Sequence, residues 1–485
     1  MTKTHRFHTG AKDLMEPSAK LEWVEYKSFC DGATTLRHRR SEEKAKARLP
    51  KFEVCELKFT RGDKRRRRKL EASARTHAET VLAQIELLAK DGCNRKLKEA
   101  VLRYFDSYKC KLTAYHDARL KMKKRHRPHL YALSDFAASL NPLHMEFESA
   151  RISLKDRAGQ PDQKELRPVM SFGIHHRARQ EMVLNVLRAC MPLPNHPNQF
   201  GVKARGVKQA VETVAQKLMS DEVQFVAEYD IENFFPSIGE EAGLLKSHNV
   251  LTDQLPFLPK GVVESTVLRS GILAPLVYAP GSEALNLQND TQSGVPQGSA
   301  VSSYLAEYTM HDIMTEAETL GNQGCQWLSY VDNVLVFSRD SDDVNGLRLP
   351  LGICARNSRF GDFRFNINQA VRHKSQGFLF LGHYFKHVDS PKPTVIIEVS
   401  EKNQRKLHNK LDALLRRFQP TSFGSRRYVH TMRKQFCDEI REWAKSFYSG
   451  NPLAEGYRIG HECLQDHPRA SQHLRPVIDR RLRAL

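Results

Sequence analysis

Hydrophobic positions recur with different periods along this chain, and the changes of period mark its segments. From Lys64 to about Arg125 no proline interrupts the chain, and Val81, Leu82, Ile85, Leu87 and Leu88 recur at near-helical spacing. A charge-rich helical segment is predicted over residues 1–140. Arg167–Phe172 reads as a strand after a turn. Ala178–Cys190 reads as an amphipathic helix, stopped by Pro192 and Pro194. The run VQFVAEYDI from Val223 predicts a buried strand with Asp230 near its end, and Phe234-Phe235-Pro236 turns it into a helix. Between Gln326 and Arg339, two apolar runs (Trp327–Val331 and Val334–Phe337) flank Asp332-Asn333. That pattern predicts a hairpin with a two-residue polar tip. A helix is expected from about Ala300, and another over 400–418, where Leu407, Leu411, Leu414 and Leu415 share a face. The chain stays helical and basic through Arg480 and Arg481.

Charge adds a partner to this picture. The 485 residues carry 76 Lys and Arg against 56 Asp and Glu, a formal net charge of +20. A polyanion relieves that self-repulsion, and nucleic acid is the expected one because Lys and Arg make the dominant phosphate contacts. The run Lys64–Lys69 suits either a solvated helix start or a phosphate-contacting arm. The nine cysteines are odd in number and form no C-x-x-C, which fits reduced thiols and a cytoplasmic protein. His461, Cys463 and His467 lack the second cysteine pair that a structural zinc site calls for. The N-terminus MTKTHRFHTG has no apolar signal core, and no run of eighteen apolar residues predicts a membrane span.

Asp230 and Asp332 are the candidate chemistry. A carboxylate at the end of a buried strand is costly unless it is paired or binds a cation. Two strands can bring these two side by side, where they repel and a divalent cation relieves the repulsion. Two Mg²⁺ ions about 3.5–4 Å apart can activate a primer 3′-hydroxyl and stabilise departing pyrophosphate. Hard oxygen ligands suit Mg²⁺, with Mn²⁺ as the alternative ion.

The motifs, taken in order, resemble those of reverse transcriptases over roughly residues 160–420. Asp230 followed by aromatics is similar to the family's first catalytic motif. Tyr330-Val331-Asp332-Asn333 is similar to its tyrosine-x-aspartate-aspartate hairpin, with Asn333 in place of the second aspartate. Asn keeps an oxygen acceptor and loses the charge. Ser293–Ser299, SGVPQGS, resembles the family's glycine-x-proline-glutamine-glycine motif and is the most specific signal in the chain. A glycine such as Gly298 also allows close backbone approach to a ligand.

The resemblance implies roles. Asp230, Asp332 and the Ile231 carbonyl would hold the metals, with Asn333 beside them in the catalytic set. Phe235 would stand against the sugar and exclude a 2′-hydroxyl, favouring deoxynucleotides. Gln297 and Gly298 would line the pocket for template base and incoming nucleotide. Arg167, Arg177 and Lys374 would meet the triphosphate or its leaving pyrophosphate. Phe380, Leu381 and Gly382 would form the primer grip.

The implied fold is an α+β right-hand polymerase. Its expected parts are a basic helical extension over 1–140, fingers over 141–220, a palm with an antiparallel sheet over 221–390, and a helical thumb and C-terminal region over 391–485. A fingers-like insertion is expected near 245–290. The implied function is RNA-directed DNA synthesis by a stand-alone bacterial enzyme of the retron, group II intron-like or phage-defence type. Its expected partners are an RNA template or non-coding RNA, deoxynucleoside triphosphates, the DNA product, and a partner protein or second copy of the chain. Two alternatives stand beside it: an untemplated or protein-templated polymeriser, and a non-catalytic RNA-binding protein on a polymerase scaffold. No acidic set for an RNase H domain and no endonuclease motif is expected in the chain.

Overall fold

The structure is a computed structural model. It describes residues 61–130, 132–143, 150–156, 166–201, 205–239, 250–268, 276–278, 294–320, 324–389, 391–417, 426–448 and 450–485. Ser293 and most of the expected 245–290 insertion lie outside these residues, as do residues 1–60.

The chain starts with helices α1 (Arg61–Lys90), α2 (Asn94–Asp106) and α3 (Tyr108–Lys121). The proline-free stretch breaks twice. Gly92, at φ 67°, ends α1 as a left-handed cap, and Ser107 caps α3 through the Cys110 amide. Strands β1 (Ala150–Asp156) and β2 (Leu166–Ser171) follow, then α4 (Ile174–Cys190), α5 (Val207–Leu218) and β3 (Phe225–Ile231). A short β4 (Leu276–Tyr278), α6 (Ala300–Thr319) and the hairpin β5 (Cys325–Tyr330) and β6 (Asn333–Ser338) come next. Strands β7 (Phe365–His373), β8 (Phe378–Phe380), β9 (His383–Val388) and β10 (Thr394–Val399) lead into the last helices. These are α7 (Glu401–Arg416), α8 (Arg426–Ala444), α9 (Pro452–Cys463) and α10 (Pro468–Arg483). The protein is helix-rich with mostly antiparallel sheets, the coarse class expected; among the described strands β1 pairs with β4 in parallel.

Two compact units interleave along the chain. The first comprises residues 1–194, 233–312 and 355–363. In it α1 and α3 pack on α4, which starts four residues before the predicted Ala178. The expected amphipathic pattern is wrong for α4. Arg179, Gln180 and Glu181 are buried along with Met182, Val183 and Leu184, because helices surround it.

The second unit comprises residues 195–232, 313–354 and 364–485. Its four-stranded sheet has the order β5-β6-β3-β7. Helix α5 covers one face, with Ala210, Val211 and Val214 against Val226, Leu328, Leu335 and Phe337. A second sheet, β10-β9-β8, adds Phe378, Phe380 and Phe385 to the same core. In the C-terminal helices, the predicted face of Leu407, Leu411 and Leu415 packs with Met432, Phe436, Ile440, Leu474 and Ile478. Burying each such side chain contributes about 1.5–3 kcal/mol before chain entropy is counted.

Candidate active site

The second unit assembles the carboxylates by strand register. Asp230 on β3 stands opposite Asn333 on β6 and opposite Asn366 on β7. Asn333 in turn faces Tyr330 on β5. One row therefore crosses the sheet: Tyr330, Asn333, Asp230, Asn366. Side chains in such a row share a face of the sheet. The row lies two residues along from the one formed by Leu328, Leu335 and Glu228, whose leucines pack in the core with α5. Asp230, Asp332 and Asn333 are all half-buried.

The hairpin tip differs from the expected one. Tyr330 pairs with Asn333, so the two-residue loop is Val331-Asp332, one residue earlier than the apolar pattern suggests. Asn333 is the first residue of β6 and not a tip residue. Val331 takes φ 55°, a left-handed conformation that costs a β-branched residue about 1–3 kcal/mol. The tip is held in two ways. The Ile231 amide donates to the Asp332 carbonyl at 3.4 Å, and Asn333 Nδ2 donates to Asp332 Oδ1 at 3.0 Å. Asn333 thus fixes the neighbouring carboxylate, where an aspartate would repel it.

Two half-buried carboxylates one strand apart, with an amide oxygen in the same row, form an oxygen-only donor set. That set fits a hard divalent cation. Tyr229, on the opposite face of β3, donates to the Val344 carbonyl at 2.6 Å, and burial pushes its hydroxyl up to about 12. It anchors the strand and takes no part in the carboxylate row.

Lys374 requires a correction. Its amide bonds the Gln224 carbonyl and its Nζ donates to the Ser220 carbonyl at 3.2 Å, beyond the start of β3. At about 3.3 Å per residue, that lies roughly 20 Å along the strand from Asp230. The buried ammonium is a structural anchor and not a partner of pyrophosphate.

Phe380, Leu381 and Gly382 form a tight turn between β8 and β9, closed by the Phe380–His383 pair. Leu381 and Gly382 have φ 47° and 80°, as a two-residue hairpin turn requires. The Ser400 amide and Asn403 Nδ2 both donate to the Gly382 carbonyl, at 2.9 and 3.3 Å. His383 is fully buried. Its Nε2 accepts from the Tyr448 amide at 3.2 Å, so Nδ1 carries the proton and donates to the Leu381 carbonyl at 3.0 Å.

In the first unit, the SGVPQGS segment packs on backbone. Gly294 has φ 72°, and a Cβ there would meet the Pro236 carbonyl oxygen at 2.2 Å. Gly298 has φ 106°, and its Cβ would meet the Met170 carbonyl oxygen at 2.3 Å. The close approach that these glycines permit is therefore to the protein's own chain, and the expected approach to a ligand is not what demands them. The Gln297 carbonyl accepts from the Met170 amide at 2.8 Å. Phe235 sits on a helical turn (Phe234–Ser237) after the left-handed Asn233, and its carbonyl accepts from the Val295 amide at 3.0 Å. Arg167 lies in β2 opposite Lys155 of β1. Arg177 and Gly298 line one cavity.

His461, Cys463 and His467 go separate ways. His467 bonds Asp412 at 2.8 Å, His461 lies 3.7 Å from Asp479, and burial pushes the Cys463 thiol up to about 11. Among the described residues no cluster of three or more metal-ligating His, Cys, Asp or Glu occurs. None of the described helices is long and apolar enough to cross a membrane.

Sequence reading missed Asn366, because the register of β7 against β3 slips twice and leaves no local signal. It also missed His383, which reads as an ordinary strand residue.

No curated protein matches the chain. A solved structure of the RNA-dependent RNA polymerase from bacteriophage phi12 is similar at 12% identity with a TM-score of 0.36, covering 80% of this chain. The chain spans 62% of that polymerase's length. Residues 155–385 match the family model described as reverse transcriptase (RNA-dependent DNA polymerase). That matched segment holds Asp230, Asp332 and the SGVPQGS motif, so the family model and the motif order fall on the same residues.

Proposed function

We propose that this chain is an RNA-directed DNA polymerase with a right-hand architecture, adding deoxynucleotides by in-line phosphoryl transfer. The observation that carries the reading is the register of β3 against the β5–β6 hairpin, which sets Asp230 beside Asp332 and Asn333. Asp230, Asp332 and the Ile231 carbonyl would hold two Mg²⁺ ions. When bound, such ions activate the primer hydroxyl and stabilise the leaving pyrophosphate. The protein's own contribution is positional. Asn333 holds the Asp332 carboxylate, the Ile231 amide ties the strand end to the tip, and the strained Val331 fixes the direction of the loop.

Phe235 excludes a 2′-hydroxyl by size and so selects deoxynucleotides. Gln297 and Gly298 shape the nucleotide pocket, and Arg167 and Arg177 meet the triphosphate. The turn at Phe380–Gly382 holds the primer end, and the exposed arginines around Arg416 and Arg427 track the duplex backbone. Retention of a non-coding RNA and a role in antiphage defence belong to the same proposal. The charge of +20 supports the first, and the resemblance to stand-alone bacterial enzymes supports the second.

The product tests the reading. Purified protein, with its co-purifying nucleic acid retained, is given Mg²⁺ and nucleotides, and the product is sequenced. A DNA that mirrors a bound RNA is expected. A DNA unrelated to any bound nucleic acid would replace templated synthesis with untemplated polymerisation.

A further inference from the structure

The cavity that Arg177 and Gly298 share has a volume of about 200 Å³, well above a single water's share of about 30 Å³. Charged and polar side chains share its walls with Ala118 and Ala300. The N-terminus of α6 opens into it at Ser299 and Ala300, where the Ser299 hydroxyl accepts from the Val301 amide at 3.2 Å. The unsatisfied amides of such a terminus favour an anion. Arg177 is fixed from behind, its Nε donating to the Phe172 carbonyl at 2.8 Å. Its two Nη groups have no partner among the described residues.

Gln180 supplies a second, independent sign of a ligand. It lines the cavity and is 3% exposed, yet its Nε2 has no hydrogen-bond partner among the described residues. A buried amide donor left unmade costs free energy, and an acceptor entering the cavity removes that cost. Glu181 also faces the cavity, with a side chain only 6% exposed, and a bare carboxylate there would repel an anion. Lys121 prevents this, because its Nζ lies 2.5 Å from both Glu181 oxygens. Lys121 belongs to α3, ahead of the matched segment at 155–385.

We propose that this cavity binds a phosphate group. Arg177, Gln180 Nε2 and the α6 N-terminus are the donors, and Lys121 is a positioning residue that neutralises Glu181. The helices before residue 155 are then part of the substrate site and not an appendage to it. The inference rests on the polymerase reading only for the source of the phosphate, which is either a deoxynucleoside triphosphate or a nucleic-acid backbone.

The test is equilibrium binding by the full chain, titrated separately with a deoxynucleoside triphosphate and with a single-stranded oligonucleotide. Gln180→Leu removes the orphaned donor. It is expected to weaken binding of whichever ligand supplies the phosphate about tenfold, with the melting temperature unchanged or raised. Lys121→Ala is expected to weaken the same ligand about tenfold, and the Lys121→Ala/Glu181→Gln double variant to regain most of that loss. Loss confined to the triphosphate assigns the cavity to the incoming nucleotide, and loss confined to the oligonucleotide assigns it to the strand. Unchanged affinity for both ligands in Gln180→Leu overturns the site. Failure of the double variant to recover overturns the role of Lys121. If Lys121→Ala does not fold, Gln180→Leu decides alone. Binding is read without synthesis, so a negative result leaves the Asp230–Asp332 reading standing, and an inactive protein with this binding pattern leaves the cavity standing.

Discussion

Asn333 and Phe235 show how much rests on single side chains. The Asn333 amide donates to Asp332, so it acts on the carboxylate's position. Asn333→Ala is expected to lower nucleotide incorporation about ten- to a hundredfold without abolishing it, the cost of one hydrogen bond to a charged group. Initial rates at saturating nucleotide check this. Phe235→Ala should admit ribonucleotides, and the preference for deoxynucleotides, measured as a ratio of kcat/KM values, should fall about ten- to a hundredfold. Gly298→Ala would drive a Cβ to 2.3 Å from the Met170 carbonyl oxygen. It should cost about 2–4 kcal/mol, read from the denaturant midpoint. The motif made Gly298 stand out in the sequence. What its missing side chain avoids was not legible there, because Met170 is remote in sequence and comes close only through tertiary packing.

At the scale of elements, the turn between β8 and β9 is tied to the C-terminal helices. His383 bonds the Leu381 carbonyl and the Tyr448 amide, Asn403 bonds the Gly382 carbonyl, and Trp443 Nε1 donates to the Asn403 carbonyl at 3.2 Å. This arrangement needs a neutral imidazole, and burial lowers the His383 pKa from its ordinary 6.5. The unfolded chain takes up a proton near pH 6.5 while the folded chain does not. Stability from this residue is therefore full above that pH and lost as pH falls below it, with a slope of up to about 1.4 kcal/mol per pH unit. Urea unfolding between pH 7.5 and 5.5 should show this loss, and His383→Gln should flatten the slope.

The elements themselves were largely legible. β3, the hairpin and α7 follow from alternation and from the leucine face. The exact tip was not, because Val331 continues an apolar run and only the pairing of Tyr330 with Asn333 puts it in the loop. The misplacing of Lys374 has the same origin, since sequence proximity to a motif does not tell which end of a strand a residue reaches.

At the scale of the whole molecule, the charge pattern and the motif order pointed to a polymerase, and the family match over 155–385 agrees. The contribution of the segment before residue 155 was hidden. Lys121 reads as one more lysine in a basic run, and only the packing of α3 on α4 brings it to Glu181. The same packing overrides the amphipathic local pattern of α4, burying its polar residues with their partners or against the cavity.

The central claim is that Asp230 and Asp332 form one catalytic site. The most direct measurement is Mg²⁺-dependent deoxynucleotide incorporation by wild type, Asp230→Ala and Asp332→Ala, each shown to be folded and to retain its bound nucleic acid. Either substitution is expected to lower the rate about a thousandfold or more, roughly 4 kcal/mol of transition-state stabilisation. The double variant should be little worse than either alone, as for groups that act as a unit. Incorporation by a folded Asp332→Ala protein at near the wild-type rate would contradict the account and move the chemistry elsewhere in the chain.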